Sequence, residues 1–281
     1  MRSGIGMAAI GIALLVPTAA LYMATAPDPA TRPVVVHAVE ATPPVVAEQA
    51  PAPVAVPEVS AERLASLVEA TTWTTVSAAP VDTDRQASGT GLVVHNDQAV
   101  PVFDAPGGTP IARLPQRQGA SATWLPVIGG QTGWFLVLLP ARPNGASGWI
   151  SASGVQVAHS PFEIHTSLSS MRLDLLRDGA VIGSWATSPG KADTPSPVGR
   201  TFILAAIKDS AQPYSPIILP LGAHSEVLST FGGGPGVVAL HSWPSDSVMG
   251  TAASHGCIRI PQAAIAQLLQ VPAGTLVKII P

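Results

Sequence analysis

The chain reads as a mainly β protein with two folded units, a small barrel or sandwich followed by an all-β core carrying one or two short helices. Three observations predict this. Residues 89–158 hold short apolar runs separated by Pro-Gly-Gly, Gly-Gly-Gln and Pro-Asn-Gly, the spacing of a small barrel or sandwich. Residues 161–281 carry an Asp-Gly hairpin signal between two apolar runs, then further strand-like runs and one short helical pattern. Hydrophobic residues make up 47% of the 281 and charged residues 11%, a composition for a packed core rather than for general disorder. The formal net charge is -3 with no lysine or arginine cluster, which argues against nucleic acid, since its binding needs a basic face to displace counterions.

The first element is an export segment over 1–26. Arg2 precedes an uncharged run from Ser3 to Pro27 with small residues at Ala24-Thr25-Ala26. The run fits a cleaved signal peptide and equally a single membrane anchor. Residues 27–88 read as a Pro/Ala-rich linker. Eight prolines lie between Pro27 and Pro57 and favour extended polyproline II, which at about 3.1 Å per residue holds a domain up to roughly 100 Å from a membrane. Within it, "SAERLASLVEATTW" predicts a short helix over 60–73, capped by Ser60, with Leu64, Leu67 and Val68 on one face.

The barrel-like unit spans 89–158, with strands in "GLVVHN", "AVPVFD", "TPIARLP", "SATWLPVIG", "GWFLVLLP" and "ASGWISA". Trp124, Trp134 and Trp149 either form a ligand-binding face, with glycan as the candidate, or pack as core and rim residues. In the last unit, 161–281, Arg177-Asp178-Gly179 joins two strands of a hairpin, "KDSAQPYSPIILPLGAHSE" reads as a long loop, "GVVALHS" as a buried strand, "PQAAIAQLLQVP" as a helix and "GTLVKIIP" as a final strand.

Chemistry concentrates around "TAASHGCIRI", which holds the single cysteine, Cys257. One cysteine makes no intrachain disulfide, and in an exported chain a lone thiol is either an intermolecular or reactive group or a buried small hydrophobe. A thiol acts as a nucleophile as thiolate, so a histidine must take its proton or stabilise the anion. His255 is two residues away and would share the face of Cys257 if the segment were extended. His241 ends an apolar run sixteen positions upstream. Spacing leaves both open. Gly256 permits a sharp backbone turn and close substrate approach. A zinc site from Cys257, His255 and His241 lacks a second cysteine and the usual spacing. His37, His95, His159, His165 and His224 read as structural or solvated, and Asp193, Asp209 and Asp246 as loop carboxylates.

"SHGCIRI", preceded by "LHS", resembles the YkuD-type L,D-transpeptidase family. "TPSPVGRTFI" (Thr194 to Ile203) is similar to that family's upstream Thr-Pro-x-Gly-x-Phe/Tyr segment, with an extra residue or two before Gly199. The resemblance covers 161–281. Residues 89–158 resemble a bacterial SH3-like domain through "GWFLVLL" followed by "GWISASGV". The resemblance implies a β-sandwich-like catalytic domain in which Cys257 is the nucleophile and His241 the general base and acid. The Ser242 carbonyl orients the imidazole, and His255, Gly256 and Cys257 supply oxyanion-hole amides. Arg259, Tyr214 (on a substrate lid) and Ser254 fall among the substrate-binding positions. The implied reaction is peptidoglycan cross-linking: the thiolate attacks the third residue of a tetrapeptide stem, expels the terminal D-alanine, and the thioester passes to an amine of a neighbouring stem. No metal or organic cofactor is implied, and the partners are donor and acceptor stem peptides, with membrane contact only through the N-terminal segment. The implied location is the cell envelope. Alternatives are an L,D-carboxypeptidase, in which water resolves the thioester, and a non-catalytic wall-binding protein. A papain-like peptidase would place its cysteine before its histidine, the reverse of the order here.

Overall fold

The computed structural model describes residues 53–208 and 214–281. The expected export segment, the linker up to residue 52, His37 and Asp209 lie outside the described residues. In chain order the elements begin with a helix at Ala61–Ser66 (α1) and strands at Leu92–Asn96 (β1), Val100–Phe103 (β2) and Pro110–Leu114 (β3). A small pair, Arg117–Gln118 (β4) and Ser121–Ala122 (β5), precedes Trp124–Gln131 (β6), Trp134–Leu138 (β7), Ser147–Ser151 (β8) and Val155–His159 (β9). Then come Phe162–Ser167 (β10), Arg172–Arg177 (β11), Ala180–Ala186 (β12), Gly199–Phe202 (β13), Ile218–His224 (β14), Val237–His241 (β15) and Ile258–Arg259 (β16). A second helix, Gln262–Leu268 (α2), and a last strand, Leu276–Ile280 (β17), complete the chain. The fold is mainly β.

Strands β1 to β9, apart from the β4–β5 pair, form a seven-stranded sheet in the order β3-β2-β8-β7-β6-β1-β9, antiparallel throughout. The second half forms a five-stranded sheet, β12-β11-β10-β17-β13, and a three-stranded one, β14-β15-β16. Asp178 and Gly179, with φ of 50° and 78°, make the tight turn between β11 and β12, the positive-φ pair that matches strand twist. The five- and three-stranded sheets enclose one core of Ile164, Leu173 and Leu175 against Leu221, Val238, Leu240 and Ile258, with Ala264, Ile265 and Leu268 of α2 packed into it.

Several expectations change. Helix α1 is capped by Ser60 but ends at Ser66, and Val68 is exposed. Beyond Leu67 the backbone instead pairs with the edge strand β3: Arg113 N donates to Val68 O at 2.9 Å and Ala70 N to Arg113 O at 2.8 Å. Edge pairing covers the unpaired groups of that strand and outweighs helix propensity. The described part of the expected linker is therefore packed, with Ala70, Val76 and Ala79 in the first core. The expected break near 158–161 is not a break in packing either. Phe202, Leu204 and Leu276 of the second half sit in the core of the seven-stranded sheet, and Ala50–Pro281 forms one compact unit. The long loop before residue 224 contains β14, and His224, expected in a loop, is fully buried in that strand. Trp134 is buried, edge-on to Phe103, and its indole N–H donates to Val54 O at 2.9 Å, so it presents no surface for a ligand. Among the described residues, no helix is long and apolar enough to cross a membrane.

A buried ion pair ties the two halves. Arg200 of β13 donates to Asp82 through Nε at 2.8 Å and Nη2 at 2.6 Å, a two-pronged contact with both side chains shielded from water. Asp82→Ala strands the guanidinium in the interior and is expected to cost about 3–5 kcal/mol, read as a lower urea midpoint at unchanged m value. Asp82→Leu with Arg200→Met should recover most of that loss, because apolar replacement removes the desolvation penalty along with the attraction.

Candidate functional site

Strand alternation builds the site. Val238 and Leu240 of β15 point into the second core, so Val237, Ala239 and His241 face the opposite side and line a cleft. Around β16, Ile258 and Ile260 enter the same core while Cys257 and Arg259 line the same cleft. The two strands run parallel, with Leu240 opposite Ile258 and His241 opposite Arg259. Cys257, two residues before Arg259 in the chain, thus lines the same cleft as His241. A parallel pair needs a long connection; residues 242–257 provide it, with a 3-10 turn at Asp246–Val248.

The turn that presents Cys257 is held from two sides. Gly256 has φ of 115°, a backbone region that disfavours any residue with a Cβ. Ser254 bridges the turn: its Oγ accepts from Gly256 N at 3.1 Å and donates to the Cys257 carbonyl. From the upstream "TPSPVG" segment, Thr194 Oγ1 donates to Ser254 O at 3.1 Å and Ser196 Oγ to Gly256 O at 2.8 Å. Lys191 N donates to Ser254 O at 3.1 Å, and Ser196 Oγ accepts in turn from Gly190 N at 3.0 Å. Two carbonyls of the turn are thereby fixed by side chains some sixty positions upstream.

The imidazole of His241 is locked in one tautomer. Nδ1 lies 2.7 Å from the Ser242 carbonyl; a carbonyl only accepts, so Nδ1 carries the proton and Nε2 keeps its lone pair. Ser242 is itself pinned, its N–H donating to Ser215 Oγ at 2.9 Å and its Oγ lying 3.1 Å from Gln262 Oε1. Burial holds His241 below the ordinary histidine value of 6.5; the Ser242 carbonyl opposes this and Arg259 adds to it. Burial pushes the Cys257 thiol up, against a backbone hydrogen bond at Ala239 and the positive charge of Arg259. At neutral pH the cleft thus holds a thiol and a neutral imidazole.

Aromatic rings close the surroundings. The Arg259 guanidinium lies 3.7 Å from the centroid of Trp243, close enough for a cation–π contact, and its main chain pairs with Ser188 in both directions, at 3.0 and 2.8 Å. Tyr214 stands edge-on to His241 at 5.1 Å and tilted against Trp243 at 5.7 Å. The cleft has a volume of about 530 Å³ and is mainly apolar, with Leu228 and Phe231 on its wall, a size in the range of small-molecule sites.

Of the residues predicted, His241, Cys257, Arg259, Tyr214, Ser254 and His255 line this cleft, and Ser242 and Gly256 adjoin it. His255 has different surroundings from His241. The φ of Gly256 breaks the extended run that would have put both side chains on one face, and the exposed His255 ring instead lies 6.0 Å from Phe231. The Gly256 amide, expected in an oxyanion hole, is directed to Ser254. Trp243, Ser215 and Gln262 join the site without a motif that marks them. Trp243 has a signal, since alternation from His241 returns to the cleft face two residues later; the other two are joined to the site only by folding. Among the described residues, no group of three or more His, Cys, Asp or Glu is placed to hold a metal ion.

Residues 161–279 match the family model of the YkuD L,D-transpeptidase catalytic domain. No curated protein is similar enough to the chain to count as a match. Among solved structures, an L,D-transpeptidase from Mycobacterium tuberculosis H37Rv is similar at 17% identity, over 49% of this chain and 73% of that one, with a TM-score of 0.36. The catalytic domain of an L,D-transpeptidase from E. faecium is similar at 23% identity, over 42% and 95%, with a TM-score of 0.34. An L,D-transpeptidase from Mycobacterium smegmatis is similar at 15% identity, over 74% and 94%, with a TM-score of 0.35.

Gly256→Ala forces a Cβ into the unfavourable backbone region at φ 115°. It is expected to destabilise the protein by about 1–3 kcal/mol and to slow alkylation of Cys257, with the far-ultraviolet circular dichroism spectrum unchanged.

Proposed function

We propose that the chain is a cysteine-dependent L,D-transpeptidase that joins peptidoglycan stem peptides in the cell envelope. The observation that carries this reading is the shared face of β15 and β16, which turns His241 and Cys257 into one apolar cleft. The family match over 161–279 supports the same reading.

In this mechanism the free Nε2 of His241 takes the thiol proton as the sulfur attacks the carbonyl of the third residue of a tetrapeptide stem. Because the thiol is raised and the imidazole depressed, proton transfer accompanies attack instead of preceding it. The developing oxyanion is stabilised by the main-chain amides of Cys257 and His255, each such donor being worth about 3–4 kcal/mol; the Gly256 amide is committed to Ser254. The imidazolium gives its proton to the departing D-alanine amine, leaving a thioester. An amine of a second stem then loses its proton to His241 as it displaces the sulfur, which restores the thiol. Arg259, held over Trp243, supplies the positive charge for a donor carboxylate, and Tyr214 covers His241. Leu228, Phe231 and Trp243 line the cleft, and an acyl donor packed against them would shield the thioester from water, which favours an amine acceptor over hydrolysis.

Incubating the protein with a disaccharide-tetrapeptide and weighing the products tests the reading. A dimer lacking one alanine supports the transferase, and tripeptide alone reassigns it to an L,D-carboxypeptidase. No product, together with no adduct on Cys257 after a carbapenem, removes the catalytic reading. Cys257→Ala is expected to reduce turnover to background while leaving the urea midpoint close to that of the parent.

The pH dependence follows from the two shifts. His241 must be neutral to accept the proton, and its value lies below 6.5. Alkylation of Cys257 by iodoacetamide should therefore stay level from neutral pH down to about 6.5 and fall only in more acid solution. The ultraviolet difference between parent and Cys257→Ala should show no thiolate at pH 7.

A further inference from the structure

Residues 225–236 join β14 to β15 and form a flap whose Ser225, Leu228, Phe231 and Gly236 line the cleft. The ladder that carries it is irregular. The β14–β15 ladder pairs Ile218, Leu219 and Pro220 with His241, Leu240 and Ala239, then loses register until His224 meets Val237. Beyond the ladder, Ser225 N donates to Gly236 O at 2.8 Å at the flap's base, and Phe231 and Gly234 exchange main-chain bonds at 3.1 and 2.9 Å near its tip.

The seven-stranded sheet adds contacts from outside the hairpin. Arg142, in the loop between β7 and β8, reaches both legs: Nη1 donates to Ser225 O at 3.2 Å and Nη2 to Pro235 O at 3.1 Å. Beside it Asn144 forms a reciprocal pair with β14, Nδ2 donating to His224 O and Oδ1 accepting from His224 N, both at 2.8 Å. The loop that carries them is fixed by main-chain bonds, Arg142 N to Thr74 O and Val76 N to Arg142 O, each 2.9 Å. A planar fork with several rigid donors suits bridging two carbonyls; a lysine ammonium on a flexible stem does so poorly.

We propose that the N-terminal sheet braces this flap, with Arg142 and Asn144 as positioning residues that set the shape of the apolar wall facing Cys257. The proposal rests on the reading that this cleft is where substrate binds. It assigns the first half of the chain a part in substrate recognition, without requiring it to touch the wall polymer.

The test uses the full chain and three variants, Arg142→Ala, Arg142→Lys and Asn144→Ala, with two readouts that do not depend on turnover. In Arg142→Ala, amide hydrogen exchange over 225–236 should accelerate about tenfold or more, given the loss of two charge-assisted bonds, while β10, β11 and β17 keep parental rates. Arg142→Lys should fall between. Alkylation of Cys257 in the parent should favour N-phenylmaleimide over N-methylmaleimide because the cleft is apolar, and Arg142→Ala should lose that preference as the aromatic wall loosens. With stem peptide as substrate, KM should rise several-fold at nearly constant kcat, whereas a loss of folded protein would lower kcat alone. If Arg142→Ala does not fold, Asn144→Ala, which leaves the guanidinium in place, carries the same comparison. Exchange over 225–236 unchanged in Asn144→Ala and in any soluble Arg142 variant overturns the proposal, as does acceleration spread evenly over all strands. Absence of turnover on stem peptides in the parent counts against the transpeptidase reading and leaves the exchange and alkylation results to decide the brace.

Discussion

Two residues of parallel ladder between β15 and β16 set the geometry on which the site depends. Parallel pairing keeps the alternation of both strands in phase. Leu240 and Ile258 thus enter the core together, and His241 and Arg259 face the cleft together. The apolar residues of the ladder stabilise the position of the polar ones, since a one-residue slip would send His241 and Arg259 into the hydrophobic core. The short length of β16 is offset by contacts from outside the ladder. Ser188 pairs with Arg259 along one side, and Thr194 and Ser196 hold the turn just before the strand.

The electrostatics follow from burial at that ladder. A thiolate and an imidazolium both lose hydration in an apolar cleft, so the neutral pair is the resting state. Arg259 acts on the two partners in opposite senses, disfavouring a charged His241 and favouring a charged Cys257. Its own charge is partly met by the face of Trp243. A cation kept at the cleft in this way remains available to an anionic group that enters. A thiol that stays neutral at rest is less exposed to oxidation than a thiolate would be.

The seven-stranded sheet and the two sheets that follow are one mechanical body. Phe202, Leu204 and Leu276 share the first core, the Asp82–Arg200 pair crosses the boundary, and Arg142 and Asn144 grip the base of the flap. Removing the first half would expose the apolar surface of these residues and leave the Arg200 guanidinium without its carboxylate.

Much of this was legible in the amino-acid order. The mainly β class, the Asp178-Gly179 turn, the buried strand ending at His241 and the helix after Pro261 follow from alternation and turn chemistry, which act over a few residues. So does the cluster Ser254, His255, Gly256 and Cys257, where the thiol chemistry was expected. What folding alone decided lies in long-range contact. The sequence left His241 and His255 open as partners for Cys257; the ladder register that puts His241 opposite Arg259 and the positive φ of Gly256 between His255 and Cys257 are properties of the fold alone. The end of α1 at Ser66, the strand within the supposed loop, the burial of His224 and Trp134, and the commitment of the Gly256 amide to Ser254 all depend on neighbours that only packing supplies. Arg142 and Ser225 stand 83 positions apart in sequence, and no local pattern of charge or hydropathy distinguishes a guanidinium that bridges two distant carbonyls from one that faces water.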